Sequence, residues 1–111
     1  IIDPRSDELI LVRDRLGVKP LYYSKNNSQV AFASSVEALQ QLQKCKDIDY
    51  AALSHYFTTC RITFAERTLY KEVKTLMPGN WIKFKLSSQQ EQQGVYWQRP
   101  ILSAKENSAD P

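Results

Sequence analysis

Glycine is scarce in this chain of 111 residues, with three in all, and histidine scarcer, with one. Glycines as widely spaced as Gly17, Gly79 and Gly94 do not make the closely spaced loop that cradles phosphates. A single His55 and two cysteines, Cys45 and Cys60, outside any short Cys-x-x-Cys spacing, argue against a His/Cys metal centre and against a dithiol redox motif. The two cysteines read as separate reduced thiols. Cys60 stands beside Arg61, yet a nucleophile there would need His55 within hydrogen-bond reach, and the spacing alone does not decide that contact. His55 itself reads as an exposed helix residue. No apolar run approaches the ~20 residues that a spanning helix needs, and no signal-peptide pattern opens the chain. Charge of neither sign dominates: 15 Lys and Arg stand against 12 Asp and Glu, a net +3. The cations are spread from Arg5 to Lys105 rather than gathered, which argues against nucleic-acid binding. With 42% hydrophobic and 24% charged residues, the chain has the balance of an ordinary globular domain, one at most.

What is present is a run from Leu9 to Tyr23 that couples an apolar strand to a charged turn and a second strand. Leu9, Ile10, Leu11 and Val12 form a continuous apolar run, which predicts a strand covered on both faces. Arg13, Asp14 and Arg15 then place three charges at its exit, where charges persist only if paired or hydrogen-bonded. Gly17 supplies a position where positive φ costs little, and Pro20 fixes φ and biases Lys19 toward extended geometry. Leu21, Tyr22 and Tyr23 resume with strand-favouring residues.

Further along, a polar turn at residues 25–28 and a strand over 29–33 complete a predicted hairpin. Ser34 followed by Glu37 fits a capping box, with a helix after it whose partly apolar face holds Val36, Leu39, Leu42 and Gln43. Asp49 is a suitable N-cap for a second helix, in which Leu53, Tyr56 and Phe57 recur at helical spacing and are expected to pack inward. Residues 58–65 show no period and read as an irregular loop, and residues 68–73 as a short helical turn or strand. Pro78 and Gly79 occupy the centre of a predicted type II turn. Ile82, Phe84 and Leu86 alternate with Trp81, Lys83 and Lys85, a half-buried strand. Residues 87–93 read as a polar turn, and Val95, Tyr96 and Trp97 close the hairpin. Most of the six tyrosines and both tryptophans are expected to serve core and hairpin packing.

The ordered set of motifs resembles the glutaminase domain of the glutamine-hydrolysing asparagine synthetases, within the class II glutamine amidotransferases. The turn run is similar to the family's RDxxGxxPLYY element, and residues 32–39 to its FASE(I/M)KAL. Residues 48–53 with Tyr56 and Phe57 are similar to its (I/V)DxxALxxYL. Residues 67–73, then Leu76 to Gly79, resemble its RT(I/L)(F/Y)xxVxxLxPG, and Tyr96-Trp97 its closing YW. The resemblance implies an α+β fold, part of a four-layer αββα N-terminal-nucleophile hydrolase of antiparallel sheets and helices. It implies that residues 1–99 are the carboxy-terminal half of the glutaminase domain. Residues 100–111 would be a polar linker toward an ATP-dependent synthetase domain beyond this chain. Ile1, Ile2 and Asp3 look like the end of a preceding strand. A fragment of this kind is expected to expose edge strands and to be poorly stable by itself.

In the family an amino-terminal cysteine, with its own α-amino group as base, attacks the glutamine amide, so the nucleophile is expected upstream of Ile1 and no residue here is assigned to catalysis, cofactor or metal. The implied parent reaction passes through a cysteinyl thioester. Ammonia then crosses an internal channel to aspartate activated as β-aspartyl-AMP, giving asparagine, AMP and pyrophosphate. Glutamine, aspartate and ATP are the implied partners, with ATP and Mg in the synthetase domain, a cytoplasmic setting, and a homodimer left open. The site-supporting candidates are Arg13, Asp14, Gly17, Pro20 and Ser35. Arg13 and Asp14 either brace the glutamine site or ammonia path from behind, or make ion pairs and backbone hydrogen bonds that shape the turn; the weight falls on the second. Ser35 stands where the family usually has glutamate, either putting coupling between two active sites in doubt or marking a solvated, tolerant position. Lys19 receives no role. Two other functions stay open. One is a related amide-forming enzyme of the β-lactam synthetase or lasso-peptide cyclase type. The other is a non-catalytic structural or interaction module.

Overall fold

The strands and helices lie within residues 1–61 and 64–101, the residues described in the computed structural model. In chain order they are β1 (Ile2–Asp3), β2 (Glu8–Val12), β3 (Tyr22–Lys25), β4 (Val30–Ala33), α1 (Val36–Gln43), α2 (Tyr50–Thr59), β5 (Val73–Thr75), β6 (Asn80–Lys85) and β7 (Glu91–Val95). Two antiparallel sheets and two helices make a small α+β fold. Sheet A has the order β1-β2-β6-β7 and sheet B the order β4-β3-β5.

In sheet A, Leu9 pairs with Phe84 and Leu11 with Ile82. Side chains alternate along a strand, so all four point to one face, and all four are buried there. Tyr23 and Leu76 pack onto them together with the partly buried Leu21 and Val30. The Tyr23 and Phe84 rings lie 5.9 Å apart and tilted by 59°, a favourable aromatic geometry. Burial, with Glu66 and Glu91 nearby, pushes the Tyr23 phenol up to about 12. On the far side of sheet B, Val36 and Leu39 of α1 close a second cluster with Ala31, Cys45 and Val73. The layers therefore run sheet A, sheet B, α1.

Local chemistry fixes the hairpin between β3 and β4. Asn26 Oδ1 accepts from the backbone N–H of Ser28 and of Gln29, both at 2.9 Å, the side-chain turn that asparagine favours. The predicted type II turn is present: Asn80 N–H donates to the Met77 carbonyl at 3.2 Å, and Gly79 sits at φ 70°.

Several expectations are corrected. The apolar run of β2 is covered on one face only: Leu9 and Leu11 are buried, but Val12 is 48% exposed. Ser35, not Ser34, caps α1, its hydroxyl accepting from Ala38 N–H at 3.2 Å; with the cap moved by one residue, Glu37 no longer stands at the position from which it would bond back. Helix α2 runs on to Thr59, into the expected loop. The stripe expected to pack inward is largely exposed: Leu53 is half-buried, but Tyr56 is 38% and Phe57 75% exposed. Of the six tyrosines only Tyr23 is buried. Strand β7 starts at Glu91, inside the expected polar turn, because pairing with β6 overrides weak strand propensity. Leu86 lies beyond β6 and is exposed. Residues 68–72 form bends and turns, with an isolated bridge from Tyr70 to Ile48. Most of the expected linker, residues 102–111, and residues 62–63 of the expected loop lie outside the described residues.

Candidate functional site

The turn after β2 is organised by Arg13. As the chain leaves the strand, the Arg13 guanidinium donates to three carbonyls: Nε to Lys19 at 3.1 Å, Nη1 to Leu76 at 2.7 Å and Nη2 to Gly17 at 3.1 Å. Asp14 supplies the acceptors. Its carboxylate takes the N–H of Val18 at 2.9 Å and of Lys19 at 3.4 Å. Its carbonyl takes the N–H of Gly17 and of Gly79, each at 3.1 Å. The Val18 N–H, ahead of the Lys19 N–H, holds the Asp14 carboxyl below the usual carboxylate range.

Two glycines allow the close approach. Gly17 has φ 65°, and a Cβ there would stand 2.5 Å from Pro78 Cγ and 3.3 Å from Arg13 Cζ. A Cβ on Gly79 would fall onto the carbonyl oxygen of Trp97. The Gly79 carbonyl in turn accepts from Tyr96 N–H at 2.9 Å and Trp97 N–H at 3.2 Å. The Tyr96 hydroxyl then donates to the Arg13 carbonyl at 2.6 Å. Segments around residues 13–20, 76–80 and 96–97 are thus tied into one knot.

Chemically, this knot holds backbone. Three of the five guanidinium N–H donors are committed to peptide carbonyls. The expected ion pairs of Arg13 and Asp14 do not form among the described residues, where the ion pairs are Lys25–Glu91, Arg67–Asp49, Lys74–Glu66 and Lys83–Glu8. Hydrogen bonds to backbone groups stabilise both charges in their place. Pro20 lies in the same loop, exposed. Ser35 lies apart, as the cap of α1. Beside the knot opens a cleft of about 480 Å³ whose lining includes Met77, Pro78, Trp97 and Arg15 and holds no acid, cysteine, serine or histidine.

The cysteines stand elsewhere. Cys45 is buried, and burial, with Glu72 nearby, pushes its thiol up, away from nucleophilic character. Cys60 is exposed, at the C-cap of α2. The His55 ring, expected to be exposed, is partly buried and stacks on Phe64 at 4.5 Å. Among the described residues no three His, Cys, Asp or Glu side chains converge as metal ligands. The glycines at 17 and 79 serve the knot.

Sequence reading named Asp49 as a cap and missed its partner. Asp49 Oδ1 accepts from the N–H of Ala51 and Ala52, each at 3.1 Å. Arg67 grips the same carboxylate through Nε at 2.8 Å and Nη2 at 3.0 Å. The Ala52 N–H first, then the Arg67 guanidinium, lower the Asp49 carboxyl from its ordinary value, against an opposing effect of burial. A depressed folded-state value contributes stability that is present above the unfolded value and lost as pH falls through the folded one. Asp49→Asn is therefore expected to flatten the loss of stability below about pH 4, measured as the thermal midpoint against pH; an acid limb as steep as that of the unchanged chain would refute the assignment.

Comparison with known proteins bears on what this arrangement belongs to. A family model described as a glutamine amidotransferase domain matches residues 1–97. The chain is 26% identical over 110 residues to asparagine synthetase (glutamine-hydrolyzing) 2 of Bacillus subtilis strain 168, covering 87% of this chain and 14% of that protein. It is 28% identical over 103 residues to putative asparagine synthetase (glutamine-hydrolyzing) 2 of Methanocaldococcus jannaschii, covering 90% of this chain and 20% of that protein. Asparagine synthetase (glutamine-hydrolyzing) 1 of Bacillus subtilis is 40% identical over 68 residues, 61% of this chain and 11% of that protein. The chain thus spans a fifth or less of the length of these relatives.

Proposed function

Because this chain belongs to the glutamine amidotransferase domain family, similar to the glutaminase domains of asparagine synthetases, we propose that it is the carboxy-terminal half of such a domain within a longer asparagine synthetase. The observation that carries the reading is the family match over residues 1–97, almost the whole described chain. In this reading the complete enzyme hydrolyses glutamine with a cysteine supplied upstream of Ile1, and passes the ammonia to ATP-activated aspartate to form asparagine. Relatives more than four times as long as this chain support the presence of further segments.

The part played by these residues is to hold shape. The Arg13 knot fixes the exit of β2 against the turn at Gly79, so that sheet A enters the domain with a defined edge and register. The four-layer αββα arrangement is completed in this reading by a helical layer from the rest of the polypeptide, laid over the outer face of sheet A. Val12 and Tyr96 are exposed there, beside the half-buried Ile10 and Trp81. The half-buried guanidinium, saturated by carbonyls, supports a positioning role for Arg13 and leaves glutamine capture to other residues.

The test is to assay the complete polypeptide containing this chain. Glutamine-dependent formation of asparagine with release of AMP and pyrophosphate is expected, together with loss of glutamine hydrolysis when the upstream cysteine is replaced by alanine. Glutamine hydrolysis that persists after that replacement, or a natural gene whose coding sequence begins near Ile1, would overturn the reading.

A further inference from the structure

The chain leaves its last strand through a segment pinned at two places. Tyr96 N–H and Trp97 N–H both donate to the Gly79 carbonyl, at 2.9 and 3.2 Å, which makes one pivot. The Tyr96 hydroxyl makes the second, donating to the Arg13 carbonyl at 2.6 Å. In the order β1-β2-β6-β7, Arg13 directly follows β2 and Tyr96 directly follows β7. The tyrosine side chain therefore reaches over the start of β6 to a strand end roughly 10 Å away, two strand spacings across the sheet. Between them, Arg13 N–H donates to the Asn80 carbonyl at 3.1 Å, and Asn80 pairs with Val95. Both anchors thus belong to the body of sheet A.

One pivot leaves a chain free to turn about it, whereas two pins set apart fix its heading. Pro100 then carries the heading on, because it fixes its own φ and disfavours helical geometry at Arg99. The backbone bonds already hold Trp97 in place, and a phenylalanine ring would fill the same space as Tyr96. What the hydroxyl adds is direction. The family match ends at Trp97, and this chain spans a fifth or less of the relatives it matches, so the part being aimed is the remainder of a longer protein.

We propose that Tyr96 is a positioning residue for ammonia transfer: by tying the exit of β7 to the end of β2, its hydroxyl sets the direction in which the chain leaves the domain. That direction aligns the glutaminase site with the site that consumes its ammonia. The inference rests on the reading of this chain as part of a glutamine-hydrolysing asparagine synthetase, and adds to it a residue outside the chemistry of either site. Loss of the hydroxyl leaves glutamine hydrolysis running and lets part of its ammonia escape before it is used.

Tyr96→Phe in the complete polypeptide tests this, since it removes the hydroxyl and keeps the ring. Three quantities are compared with the unaltered protein: glutamine hydrolysed, asparagine formed from glutamine, and asparagine formed when ammonium is supplied directly. The ratio of asparagine formed to glutamine hydrolysed is expected to fall by about threefold or more. Glutamine kcat/KM and ammonium-driven synthesis are expected to stay as they were, with the thermal midpoint lowered by no more than about 3 °C. A ratio that does not change, or one that falls only together with hydrolysis or ammonium-driven synthesis, would overturn the inference and leave the glutaminase reading intact. An unaltered polypeptide that makes asparagine from neither donor would instead overturn that reading, and the inference with it.

Discussion

Gly79→Ala is expected to destabilise the domain by about 3–5 kcal/mol, the largest single effect considered for this chain. Two costs add. At φ 70° an L side chain is strained by roughly 1–2 kcal/mol. The new methyl would also meet the Trp97 carbonyl oxygen, a backbone atom that cannot rotate aside. That carbonyl belongs to the segment whose N–H groups donate to Gly79 itself, so moving it breaks the bonds that hold the start of β6 beside the end of β7. Gly79→Asn separates the two costs. Asparagine tolerates left-handed backbone but carries the same Cβ, so it is expected to be nearly as harmful as alanine. Urea midpoints of the complete polypeptide and its variants measure this; an asparagine variant as stable as the parent would show that overlap with Trp97 is not the cause.

Arg13→Ala comes next, with an expected loss of about 2–4 kcal/mol. Three charge-assisted hydrogen bonds disappear together, and the carbonyls of Gly17, Lys19 and Leu76 lose a common donor. Arg13→Lys restores the charge but a single ammonium replaces a planar fork, so it is expected to recover less than half of the loss. The complete enzyme should show the damage in folding yield and midpoint more than in glutamine chemistry. A soluble Arg13→Ala variant with unchanged stability, normal KM for glutamine and abolished turnover would overturn this and place Arg13 in the chemistry.

The difference between what was legible and what was not is largely one of range. The Pro78-Gly79 turn, the hairpin after Tyr23 and the Asp49 cap are written in neighbouring residues, and local rules find them. The Ser34 assignment erred by one position because two serines stand side by side and both satisfy a cap; only the backbone geometry at Ser35 chooses between them. The partners of Arg13 are carbonyls, which any residue supplies. One of them, Leu76, lies far along the chain, so the charge signalled a need without naming what meets it. Arg67 was likewise visible as part of a motif and invisible as the clamp on Asp49. Helix α2 was recognised from spacing, yet its direction was misread: periodicity states which residues share a face and is silent on whether the same chain covers that face.

Sheet A joins strands from opposite ends of the sequence, Leu9 of β2 lying against Phe84 of β6, about 75 residues on. During synthesis, β2 must therefore wait. At roughly 5–20 residues per second, Leu9 and Leu11 are out of the ribosome for roughly 4–15 s before their partners exist. Meanwhile the hairpin of β3 and β4 closes on its own within microseconds. The order of assembly is set by this wiring: the β3–β4 hairpin and α1 first, then β5 onto β3, and β6 with β7 onto β2 last. In the interval the β2 edge and its leucines are open to any other strand, including that of a neighbouring nascent chain. Slowing translation beyond Gly79 should thus raise the misassembled fraction, and a holdase chaperone that binds apolar extended segments should lower it.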